Sequence, residues 1–174
     1  MEKINVASIT KLALLLAIIA MIQMFGRLIP NGNLVVGSIV NACLLIAVAT
    51  VGLRGAAILS FLAPFTSLIS NHAPIAAALL PFAPVIVVGN FVYAAIFYYM
   101  MKKNKIAGVA LGSVAKFGIL YVGVTVFLSL MSFPKFAAVL LVLFSWPQLI
   151  TALIGGFIAL TVIKRLEKTG FVSK

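Results

Sequence analysis

Residues 84–131 read PVIVVGNFVYAAIFYYMMKKNKIAGVALGSVAKFGILYVGVTVFLSLM. Two apolar runs, 84–101 and 106–131, flank the basic turn Lys102-Lys103-Asn104-Lys105. A helix crosses a bilayer in about 20 mostly apolar residues. Hydrocarbon offers no water to unpaired backbone groups, so runs of this kind resolve as helices. A single lysine, Lys116, stands inside the second run. The stretch therefore predicts a membrane helix, a charged turn and a returning helix.

The pattern extends outward over the chain. Hydrophobic residues make up 64% of the sequence and charged residues 9%, against about 45–50% and 25% in soluble domains. So few charged groups cannot clothe the surface of a soluble fold, and the surplus apolar area needs lipid. Upstream, spans are predicted at 9–25, 34–51 and 55–69, separated by the turn-rich Pro30-Asn31-Gly32-Asn33 and by Gly52-Leu53-Arg54. Ser70-Asn71-His72-Ala73-Pro74 ends the third span. Downstream, 136–164 is too long for one simple crossing. Trp146-Pro147 divides it, because proline suits the first turn of a helix and disrupts its interior. A short external helix or loop at 136–144 and a sixth span at 147–163 are expected. The first span lacks a small-residue cleavage site and is read as retained, not as a signal peptide.

Charge orients these spans. The chain carries 13 Lys and Arg against 2 acidic residues, Glu2 and Glu167, for a net charge of +11. If six helices alternate, Lys3, Lys11, Arg54, Lys102, Lys103, Lys105, Lys164, Arg165, Lys168 and Lys174 share one face. Only Arg27 and Lys135 fall on the other. The positive-inside rule then puts both termini in the cytoplasm. The expected fold is all-α: one polytopic membrane domain over 1–174, with six transmembrane helices in a bacterial plasma membrane. No soluble domain gathers basic residues on one face, which argues against a nucleic-acid partner.

The chemistry that is missing narrows the function. No phosphate-binding loop is present, so the chain does not hydrolyse ATP alone. No carboxylate lies in a span, which disfavours a proton relay or an aspartyl protease site. One histidine, His72, and one cysteine, Cys43, are too few for a zinc site or a disulfide. An enzyme is not expected, nor a cofactor or metal.

Polar residues in or beside the spans carry what remains. Lys116 lies about 15 Å into its helix at 1.5 Å per residue, too deep for easy snorkelling. With no intramembrane carboxylate to pair with, a ligand or a water-filled cavity is its candidate partner. Asn90 and Gln148 fit either interhelical hydrogen bonds or a pocket. Trp146 fits either the interfacial aromatic belt or a pocket wall. Asn90, Lys116, Tyr121, Trp146 and Gln148 fall in the last three spans at compatible depths, as a small-molecule pocket requires. Arg27, Asn31 and Asn33 lie where a lid could close over it. Asn41 is read as a helix-packing residue. Ala13 and Ala17, one turn apart in the first span, allow close approach of another helix, and Ala152, Gly155, Gly156 and Ala159 make a similar surface on the sixth.

The combination resembles the substrate-binding (S) components of energy-coupling-factor vitamin transporters. The likeness rests on Ala13-x-x-x-Ala17, on Gly89-Asn90, and on the run Ser145-Trp146-Pro147-Gln148-Leu149-Ile150-Thr151-Ala152-Leu153-Ile154-Gly155-Gly156. It implies a six-helix subunit that captures a vitamin-like molecule at the outer face, in a pocket of the last three helices. It also implies a transmembrane coupling subunit that docks on Ala13 and Ala17, and a pair of ATPase subunits. Arg27 and Lys116 suit a neutral or anionic substrate, and Trp146 suits a flat ring. The alternative is a small secondary transporter or channel acting alone.

Overall fold

The structure is a computed structural model that describes residues 5–28, 30, 32–70, 73–130 and 137–170, with the backbone alone at 27, 68–70 and 73–79. Every regular element among them is helical: α1 (Val6–Phe25), a short 3-10 turn (Gly26–Leu28), α2 (Gly32–Val51), α3 (Leu53–Ser70), α4 (Ala73–Met100), α5 (Lys105–Leu130), α6 (Ala137–Leu143) and α7 (Trp146–Lys168). Five stretches are long and apolar enough to cross a membrane: Val6–Phe25, Gly32–Val51, Leu80–Met100, Lys105–Leu130, and Ala137–Lys168, which joins α6 to α7. In α3 the apolar part is shorter, Leu53–Ser67. Large side chains such as Leu14, Leu130 and Phe157 are exposed along these helices, the surface expected of a membrane-embedded protein.

Local sequence sets the helix ends. Asn5 caps α1, its Oδ1 accepting the Ser8 N–H at 2.8 Å, which satisfies one of the free donors of the first turn. Gly52, at φ 88°, makes the left-handed turn from α2 into α3, a conformation costly for any residue with a Cβ. Pro147 falls in the first turn of α7, where its missing N–H removes no helical bond. This break separates the seven-residue α6 from α7.

The helix α2 runs through the middle of the bundle, packed against α1, α3, α4 and α7. Its buried run Asn41, Ala42, Cys43, Leu44 and Leu45 covers every side of the helix, as burial within a bundle demands. By contrast, α1 buries only Leu12, Leu15, Ile19 and Gln23, a single stripe at three- and four-residue spacing. On α7 the small residues Ala152, Gly155, Gly156 and Ala159 are all buried. A Cβ on Gly155 would stand 2.3 Å from the Ser38 carbonyl oxygen, so glycine is what lets α7 lie against α2. A second, smaller core joins α4, α5 and α6 through Phe82, Leu120, Val124, Leu140 and Phe144. Phe82 packs on Phe144 with ring centroids 4.6 Å apart.

The two ends of the bundle differ in character. Where α2 turns into α3 and α4 into α5, the helix ends carry Lys11, Arg54, Lys102, Lys103, Lys105, Lys164, Arg165 and Lys168. Here Lys11 Nζ donates to the Thr50 carbonyl at 3.4 Å, and Lys105 pairs with Glu167 at 2.5 Å, tying the start of α5 to the end of α7. At the opposite end, where α1 turns into α2, the helices enclose a cavity.

Candidate functional site

The cavity has a volume of about 310 Å³, within the range of small-molecule sites. Every helix contributes to its wall: Gln23 from α1, Asn41 from α2, Pro64 from α3, Asn90 from α4, Lys116 from α5, Leu143 from α6 and Gln148 from α7. The rest of the wall is largely apolar, with Val36, Val40, Ala83, Ile86 and Phe144 among its residues.

Lys116 is the one charged side chain among the described residues lining this site. It is 3% exposed and lies eleven residues after the start of α5 at Lys105, about 16 Å along the helix. Its ammonium donates to Asn41 Oδ1 at 2.5 Å and to Asn90 Oδ1 at 2.7 Å. It also lies 5.7 Å from the centroid of the Tyr93 ring, within cation–π reach. One side chain of α5 thus binds α2 and α4 together. Tyr93 is itself fixed, its hydroxyl donating to the Ala152 carbonyl of α7 at 2.8 Å.

These bonds have only one consistent direction. An ammonium can only donate, so Asn41 must present its oxygen to Lys116. Asn41 Nδ2 then donates to Thr151 Oγ1 at 3.4 Å, and the Thr151 hydroxyl donates to the Gln148 carbonyl at 3.2 Å. A directed chain runs from α5 through α2 into the first turns of α7, and such chains strengthen each link. Both partners of Lys116 are neutral amides. Glu167, the one acidic side chain among the described residues, is bound to Lys105 at the far end. The ammonium therefore sits in a low-dielectric site with no counter-charge from the described residues, a costly arrangement that an anionic or strongly polar guest would relieve.

The residues singled out from the sequence divide into four groups. Asn90, Lys116 and Gln148 meet at the cavity, joined by Asn33 at its edge. Gln148 also donates from Nε2 to the Leu143 carbonyl at 2.8 Å, closing the break between α6 and α7. Tyr121 and Trp146 do not line the cavity. Tyr121 is 45% exposed and stacks on Phe117, because five residues after Lys116 a helix has turned about 140° further round. Trp146 is 59% exposed, because two residues before Gln148 it lies about 160° away on the same helix. The aromatic wall is supplied by Phe144 instead. The side chain of Arg27, and the whole of Asn31 and His72, lie outside what the structure describes. Ala13 and Ala17 are exposed on the face of α1 away from α2 and α3.

Asn41, Thr151 and Gln23 are polar residues of the site that the sequence does not assign to a pocket. Asn41, which the sequence suggests packs helices, does join them, but through the ammonium of Lys116. Thr151 orients Asn41. Gln23 stands in the wall with Nε2 on the Ala63 carbonyl at 3.2 Å. The available signal was an amide side chain inside an apolar span, at Gln23 and at Asn41. Among the described residues no three His, Cys, Asp or Glu side chains come together as a metal site. Comparison of the chain with protein-family models, with curated proteins and with solved structures finds no match.

Proposed function

We propose that the chain is the substrate-binding membrane subunit of an ATP-driven importer of the energy-coupling-factor type. In this reading six helices cross the plasma membrane, α6 lies at the outer face and both termini are cytoplasmic. The cavity opens toward the outside and takes a small neutral or anionic molecule such as a vitamin. The observation that carries the reading is Lys116, a buried ammonium held by two neutral amides on a cavity of about 310 Å³. A purely structural lysine would be matched by a carboxylate or by backbone carbonyls. Here an N–H donor and a positive charge remain for a guest. The gathering of Lys11, Arg54, Lys102, Lys103, Lys105, Lys164, Arg165 and Lys168 at the opposite end, with Arg27 at the cavity end, supports the orientation. The exposed Ala13 and Ala17 offer a smooth face to a coupling subunit. Energy would come from that subunit and its two ATPases, with no enzymatic step in this chain.

Native mass spectrometry of the purified full chain tests this. It should show one small molecule retained by the wild type and lost from Lys116→Met. Ala13→Trp and Ala17→Trp should keep that molecule but fail to co-purify with the coupling subunit. Intact assembly in both tryptophan variants removes the docking assignment. Solute flux in proteoliposomes holding this chain alone would favour a stand-alone transporter or channel.

A further inference from the structure

Gln23 carries a polar atom that its packing does not explain. It is 8% exposed on α1 and lines the cavity. The Ala63 carbonyl can only accept, so the amide must turn its nitrogen to α3, and the orientation of the side chain is fixed. The same carbonyl also accepts the Thr66 hydroxyl at 2.8 Å. Gln23 Oε1 is thereby left buried, without a hydrogen-bond partner among the described residues. A buried acceptor without a donor is strongly unfavourable, whereas a leucine or methionine of similar size would fill the space without that cost. Two residues of the wall therefore hold unspent groups of opposite kind. Lys116 has three N–H bonds and directs two of them to Asn41 and Asn90, leaving a donor. Gln23 Oε1 is an acceptor.

We propose that Gln23 is a ligand contact, and that the bound molecule carries an N–H or O–H group for Gln23 Oε1 as well as the carboxylate or carbonyl oxygen that meets Lys116. This rests on the binding-subunit reading above and narrows its substrate class. The ligand is bifunctional, with a donor and an acceptor on one apolar body small enough for about 310 Å³. N-heterocyclic acids and lactams answer that description. An apolar acid without a donor leaves Gln23 Oε1 unmatched, and a site built to pair such a group rejects analogues that lack the partner.

The test uses the full chain in detergent and a panel of N-heterocyclic acids and lactams. Each is paired with the analogue that has oxygen in place of the N–H, such as indolecarboxylate with benzofurancarboxylate, or a lactam acid with its lactone. Calorimetry should find at least one pair whose N–H member binds the wild type at least tenfold tighter. Gln23→Met should abolish that preference by raising the dissociation constant of the N–H member alone. Lys116→Met should weaken both members together. Equal binding of both members to the wild type overturns the proposal, and is the result expected if a water occupies Gln23 Oε1. A preference that persists in Gln23→Met also overturns it. Should no member of any pair bind the wild type, the binding-subunit reading falls as well, so the two failures are distinguishable. The comparison within wild-type protein stands even if Gln23→Met does not fold.

Discussion

The helices α1 and α7 carry the same kind of small-residue stripe and put it to opposite use. On α7, Ala152, Gly155, Gly156 and Ala159 are buried between α2, α4 and α5. On α1, Ala13 and Ala17 face outward, while Leu12, Leu15 and Ile19 hold the helix to the bundle. Small-residue spacing in a membrane helix therefore marks a place for close approach without saying which helix approaches. What separates the two is glycine. A Cβ at either glycine of α7 would overlap a neighbour, whereas Ala13 and Ala17 already carry a Cβ and stay on the exposed face.

This difference can be broken by substitution. Gly155→Val has the largest expected effect, because the collision is with the backbone carbonyl of Ser38 at 2.3 Å and with Asn41 Cβ at 2.7 Å. A loss of about 3 kcal/mol or more is expected, read by thermal unfolding of the detergent-solubilised chain, with loss of ligand retention because Asn41 is displaced from Lys116. Gly156→Ala comes next. Its neighbours are both Cγ atoms of Val109, at 2.2 and 3.0 Å, and the Tyr93 hydroxyl at 3.0 Å; a β-branched side chain in a helix has little freedom to turn, so about 2 kcal/mol is expected by the same measurement. Ala13→Leu and Ala17→Leu should fall within about 0.5 kcal/mol of the wild type in the isolated chain. If either cost as much as Gly155→Val, the outward face of α1 would be an internal contact.

The helices themselves were legible in the sequence because apolar run length and turn residues act locally. The expected spans at 9–25, 34–51, 55–69 and 106–131 agree with α1, α2, α3 and α5 to within a few residues, and Trp146-Pro147 marks the break before α7. The fourth helix is longer than the expected run of 84–101: α4 begins at Ala73 and runs through Pro81 and Pro84, where each proline removes one ladder bond without ending the helix. The site was legible only in part. Lys116 and Asn90 declare themselves as polar groups in apolar runs. Tyr121 and Trp146 share their depth, but the helical turn points them elsewhere. Asn41 and Gln23 belong to helices remote in sequence from α5. Their partnership with the cavity is a matter of which helix lies at the centre, and no local pattern encodes that.

The ammonium of Lys116 is bound to α2 and α4 from its seat on α5, and through Asn41 it reaches α7. Such a joint couples occupancy to cohesion. Any guest that takes the remaining donor adds its binding free energy to the stability of the native bundle alone. The pocket thus has a built-in reporter, and an unlabelled compound collection can be ranked simply by how far each member delays the melting of the whole protein.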